Sequence, residues 1–115
     1  MPNKIVEQSI TIAELKELAK EQFGDMVKAV VDVARGIMVV GASMHADEEQ
    51  ILLETGSKQE NLWGVNIYPD QPQDSWLEFD SMINIRPRQG NRSRRVENET
   101  AQAQIRAVVD KLVSA

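Results

Sequence analysis

Fifteen consecutive residues, Met82 to Val96, hold five arginines and not one acid, in a chain whose formal net charge is −5. The remaining 100 residues carry eight positive and eighteen negative charges. A guanidinium is a planar fork of donors that matches a phosphate or carboxylate, and several forks in one loop can close around an anion. Arg86, Arg88, Arg92, Arg94 and Arg95, with Asn91 among them and Asp80 and Asn84 just before, therefore form the leading candidate binding set. Gly90 allows the backbone to come close to a ligand, and the loop runs into a helix start, whose free amides also favour an anion. The competing reading is that these arginines are solvated, or pair with Glu97, Glu99 and other carboxylates of the acidic body. Gly-Asn-Arg-Ser is neither a Walker loop nor a dinucleotide fingerprint, so the motif alone does not name a ligand.

Two further sets bear on chemistry. Glu78, Asp80, Asn84 and Arg86 alternate along one apolar–polar run, with Asn66 and Tyr68 expected beside them on a paired strand. Such a face could floor a site leading into the arginine loop, although any antiparallel sheet with one wet face shows the same alternation. His45 is the single histidine, the one side chain suited to acid–base work near neutral pH without perturbation. It precedes Asp47, Glu48 and Glu49, an acidic first helical turn that its interaction with the helix dipole already explains. One histidine and no cysteine predict no closed metal site, and no cofactor motif is present. Trp63 and Trp76 lie next to strand apolars and are expected to pack in the core. No serine has the Gly-x-Ser-x-Gly context of a hydrolase.

The elements that position these groups follow from periodicity. A helix is predicted over Ile12–Phe23, where Thr11 and Glu14 have capping-box spacing and Gly24 supplies the stop. Two β-branched runs follow, Met26–Val33 and Ile37–Ala42, joined by a glycine-containing link as a hairpin. The second is apolar on both faces, as in a central strand. A helix over Ala46–Thr55, strands over Leu62–Tyr68 and Trp76–Arg86, and a helix over Glu99–Val113 capped by Asn98 complete the order α-β-β-α-β-β-α. Asp80-Ser81 is a place where the last strand can break. The resulting expectation is one two-layer α+β domain over residues 1–115, with a four-stranded, mainly antiparallel sheet and its helices on one face.

The run Glu17–Asp32, together with His45-Ala46-Asp47, Gly56–Gly64 and Phe79–Pro87, resembles a small prokaryotic protein family of unknown function over nearly the whole chain. That resemblance implies an uncharacterised protein and transfers no catalytic residue.

Without cysteine there is no disulfide and no thiolate nucleophile. No apolar run suits a membrane span, and no signal-peptide core precedes the first helix, so a cytoplasmic location is expected. The overall acidity argues against a nucleic-acid partner. Three functional classes are left open. The leading one is a binding module whose loop at 86–95 holds an anionic or phosphorylated small molecule or an acidic protein. The second is a small enzyme acting on a phosphorylated substrate, with His45 or Asp80 as acid or base. The third is a structural accessory protein that forms homo-oligomers and takes no ligand.

Overall fold

A computed structural model describes residues 4–115. Its centre is a five-stranded antiparallel sheet in the order β1-β4-β3-β5-β6, formed by β1 (Lys4–Val6), β3 (Val27–Asp32), β4 (Ile37–Val40), β5 (Leu62–Ile67) and β6 (Leu77–Glu78). A second pairing joins β2 (Ile10–Thr11) in parallel to β7 (Val113–Ser114). This ties the start of α1 (Ile12–Gln22) to the end of α3 (Glu99–Leu112).

The expected hairpin between β3 and β4 is present. Asp32 Oδ1 accepts from the amides of Ala34 and Arg35, each at 2.9 Å, and Gly36 takes a positive φ of 70° that suits glycine best. The capping box of α1 also forms, with the Glu14 amide donating to Thr11 Oγ1 at 3.1 Å and the Thr11 amide donating to Glu14 Oε1 at 3.4 Å. Lys4 reaches Glu14 at 2.9 Å and holds its carboxyl below the usual range. Asn98 caps α3 by accepting from the Ala101 amide at 3.0 Å.

The layering differs from a sheet covered on one face. Odd positions of β3 (Val27, Ala29, Val31), with Met38, Val40, Trp63, Val65 and Ile67, face α1 and α3 in the main core. The alternate set, Val30, Ile37, Val39 and Leu62, is buried on the opposite face beneath Leu52 of α2 (His45–Glu54). The terminal helices thus share one face, while α2 covers the other. The cause is the amount of apolar surface: strands apolar on both sides would leave one side in water unless a second layer covered it. Ile105 lies fully buried in the main core. Replacing it by Ala should cost about 2–5 kcal/mol as a cavity, read as a lowered urea midpoint at unchanged slope.

The strand count and its last member also depart from expectation. β1 is an additional edge strand, in register with β4 at Lys4↔Val40 and Val6↔Met38. The long strand predicted over Trp76–Arg86 pairs with β5 only at Leu77–Glu78, makes single bridges from Asp80 to Arg95 and from Arg86 to Asn91, and turns away into 3-10 turns at Met82–Asn84 and Pro87–Gln89. As a result the set Leu77, Phe79, Ser81, Ile83 and Ile85 does not share a face: Phe79 joins the main core, Ile83 packs under α2, and Ile85 is exposed. Gly64 explains the break. A Cβ at that position would stand 2.6 Å from Ser81 Cβ and 2.7 Å from Ser81 Oγ, so Ser81 occupies the space a side chain on β5 would need. No helix among the described residues is long and apolar enough to cross a membrane.

Candidate functional site

The arginine loop is held by asparagine amides rather than by a strand ladder. Asn84 is fully buried. Its Oδ1 accepts from the Gly64 amide at 2.8 Å, and its Nδ2 donates to the Gly64 and Arg94 carbonyls, each at 3.0 Å. Asn84 thus grips both main-chain polar groups of one β5 residue, as a neighbouring strand would. Asn91, also buried, donates to the carbonyls of Asn84, Ser93 and Arg95 and accepts from the Glu97 amide at 2.8 Å. Both side chains spend their hydrogen-bonding capacity on the main chain and hold the loop's shape.

The five arginines then separate. Arg86 turns inward, donating to the Gln59 and Leu62 carbonyls and lying 4.3 Å from the Trp63 ring centroid. Burial lowers its pKa, and the guanidinium stays protonated. Arg94 forms a two-pronged pair with Asp80, at 2.7 and 3.3 Å. Arg88, Arg92 and Arg95 are exposed and have no carboxylate partner among the described residues. Glu97 is engaged instead by Ser93 Oγ at 2.6 Å and the Arg92 amide at 3.3 Å.

Arg94 and Asp80 belong to a cavity of about 400 Å³ on the α2 side of the sheet. Its floor is a row of three residues in register across three strands: Lys28 on β3, Asn66 on β5 and Glu78 on β6. Asn66 Nδ2 donates to Glu78 Oε1 at 2.8 Å, and the Tyr68 hydroxyl donates to the same oxygen at 3.1 Å. Met26, Met44, Met82 and Ile83 supply the apolar wall. The start of α2 closes one side with Met44, His45 and Ala46.

That helix start is uncapped. Met44 stands at the cap position and offers no side-chain acceptor, and the amides of Met44, His45 and Ala46 have no hydrogen-bond partner among the described residues. Lys28 likewise has no carboxylate partner among the described residues. Its ammonium lies 5.3 Å from the Phe23 ring centroid.

His45 is buried, with Nε2 2.8 Å from the Val65 carbonyl. A carbonyl only accepts, so the proton sits on Nε2 and Nδ1 carries the lone pair. Burial pushes the imidazole pKa below 6.5, and the Val65 hydrogen bond opposes that shift. The ring is therefore neutral at neutral pH.

Sequence reasoning placed Asp80 and Arg94 in one candidate set and His45 in another, and the tertiary structure brings all three to one cavity. Lys28 and the free amides of the α2 start were not among the candidates. Lys28 had a signal, since it alternates onto the polar face of its strand; free amides leave none. Glu48, read as an acid of the first helical turn, is in fact fully buried, its Oε2 accepting from the Ala42 amide at 3.0 Å. Among the described residues no group of three or more acidic or histidine side chains converges to hold a metal ion.

A family model described as "Protein of unknown function (DUF5674)" matches residues 4–112. The chain belongs to the DUF5674 family. No curated protein and no solved structure matches it. For this DUF5674 chain the site's chemistry has to be read from its own residues.

Proposed function

We propose that this chain is a binding module for a small anionic ligand, held in the cavity where the start of α2 meets Lys28 and Arg94. The observation that carries this reading is the uncapped helix start: three residues with free amides line a cavity that also holds a lysine without a carboxylate partner. Free amides at a helix N-terminus and the positive end of its dipole favour an anion. A neighbouring ammonium adds charge where the amides add direction. The exposed Arg88, Arg92 and Arg95 supply a positive fringe on an otherwise acidic body, which would steer an anion toward the site at low salt.

Titrating isotope-labelled protein with inorganic phosphate and sulfate tests this. The amide resonances of Met44, His45 and Ala46 should shift together. Lys28→Ala should weaken binding by about tenfold or more, the loss expected of a charge-assisted contact. Changing Arg92 and Arg95 together to Ala should weaken binding only at low salt and alter unfolding stability by about 1 kcal/mol or less. Shifts confined to residues 88–95, with none at the start of α2, would refute the cavity as the site.

A second reading is catalysis, favoured by the presence of His45, Asp80 and Arg94 around one cavity. The neutral imidazole with its lone pair on Nδ1 would serve as a general base, and Arg94 would hold developing negative charge. Under that reading His45→Gln retains ligand binding while turnover of a phosphorylated substrate is lost.

A further inference from the structure

We propose that the ligand is an amine-bearing phosphate ester, with its phosphate at the start of α2 and its ammonium between Glu78 and His45. The inference rests on the anion reading above and adds the ligand's second charge. Lys28, Glu78, Asp80 and Arg94 all line the cavity, and they are not equally satisfied. Arg94 and Asp80 pair with each other at 2.7 Å. Lys28 and Glu78 have no partner of opposite charge among the described residues, and they do not pair with one another. Register explains the separation. Lys28 on β3 stands opposite Asn66 on β5, which stands opposite Glu78 on β6, so two strand spacings, about 9–10 Å, lie between their main chains. Asn66 and Tyr68 both donate to Glu78 Oε1, at 2.8 and 3.1 Å. Both are neutral donors, so the charge of Glu78 is left uncompensated, and Oε2 has no donor among the described residues.

A simple anion would meet Lys28 and the helix start on one side and be repelled by Glu78 on the other. An ammonium on the same molecule turns that repulsion into attraction, and each unpaired side chain then gains a partner. With a short carbon link, such a zwitterion and one charge-assisted contact of about 2.8 Å at each end can bridge the two strands. His45 supplies a second acceptor. It is 8% exposed, its Nε2–H is held by the Val65 carbonyl at 2.8 Å, and Nδ1 has no partner among the described residues. Unlike the Asn66 amide oxygen, which is sealed from solvent, Nδ1 keeps accessible surface beside the cavity. An ammonium with three N–H donors can serve both Glu78 and His45. Met26, Met44 and Met82 give a pliable apolar wall for the carbon link. A cavity of about 400 Å³ is of the size that holds a small ligand.

Calorimetric titration of the full chain with phosphoethanolamine, phosphocholine, ethyl phosphate and inorganic phosphate decides the matter. Ethyl phosphate shares the phosphate and two-carbon chain of phosphoethanolamine and lacks only the ammonium. Phosphoethanolamine should bind about tenfold or more tightly than ethyl phosphate, the gain expected of a charge-assisted contact. Phosphocholine, which keeps the charge without N–H donors, should fall between them. Glu78→Gln should move the first pair in opposite directions, weakening phosphoethanolamine and, by removing a like charge, strengthening ethyl phosphate. Glu78 is exposed, and glutamine keeps the oxygen to which Asn66 and Tyr68 donate, so the fold is retained. Equal binding of ethyl phosphate and phosphoethanolamine overturns the ammonium inference and leaves the anion reading intact. A gap that survives Glu78→Gln also overturns it, because the ammonium then lies elsewhere. Phosphocholine binding as tightly as phosphoethanolamine overturns the part given to His45. Absence of heat with all four, and of any shift at the Met44–Ala46 amides, overturns both readings.

Discussion

Glu48→Gln should raise stability by on the order of 3–5 kcal/mol near pH 8 and flatten the alkaline limb of the stability profile. The Glu48 carboxyl is fully buried beneath α2, with Oε2 bonded to the Ala42 amide and Oε1 without a partner. Burial, the dominant cause, pushes its pKa from 4.5 to about 9. The unfolded chain gives up this proton near 4.5 while the folded chain keeps it to about 9, so folding takes up a proton throughout that window. Stability from this group is fully present below 4.5, falls as pH rises, and levels off above about 9.

His45 acts with the opposite sign, because burial lowers its pKa below 6.5 and costs stability on the acid side. Above 6.5 the imidazole is neutral in both states and only the Glu48 slope is left. Urea unfolding across this range should show the native protein losing up to about 1.4 kcal/mol per pH unit. The glutamine variant reproduces the shape of the protonated acid and should lose almost none. A native protein whose stability does not change between neutral and alkaline pH would sink the prediction.

Asn84→Ala should destabilise the protein by roughly 2–5 kcal/mol, a cost set by the two buried main-chain groups of Gly64 losing their partner and the Arg94 carbonyl losing one of two. The Gly64 N–H and C=O rely on this one side chain, which also shares the Arg94 carbonyl with the Ser81 amide. Water cannot replace it easily, since Asn84 is fully buried. The variant should also release the segment that carries Arg94, seen as faster hydrogen exchange at the Ser81 amide, which donates to the Arg94 carbonyl at 3.1 Å. A loss below about 1 kcal/mol would mean that the loop is held by other contacts.

The three α-helices, the N-caps of α1 and α3 and the central hairpin could be read directly from residue order. Thr11 with Glu14, Asn98 before α3, and the glycine after Arg35 act on groups a few residues away, so the interaction that shapes the chain lies within one window of sequence. β1 escaped because three residues carry too little periodicity, and its pairing with β4 spans more than thirty positions of chain. The long strand expected through Met82 failed for a similar reason. Its apolar–polar alternation is real, but Ser81 fills the space opened by Gly64, and the Asn84 amide replaces the ladder hydrogen bonds that a strand would have made.

For the site, the sequence alone revealed the charge asymmetry: five arginines clustered on an acidic chain, with Asp80, Glu97 and Glu99 close to them in the chain and His45 in a separate set. It also carried an unused sign of the second helical layer, since β4 is apolar on both faces and each apolar face needs cover. Only the tertiary structure decided which arginines face in, which pair and which stay free. Guanidinium, amide and carboxylate groups form equally good hydrogen bonds with many partners, and their choice depends on which groups the packing leaves within about 3 Å. The same holds for the helix start that the cavity exposes. An unsatisfied amide has no letter in the sequence, and it becomes a feature only when no side chain comes near enough to cap it.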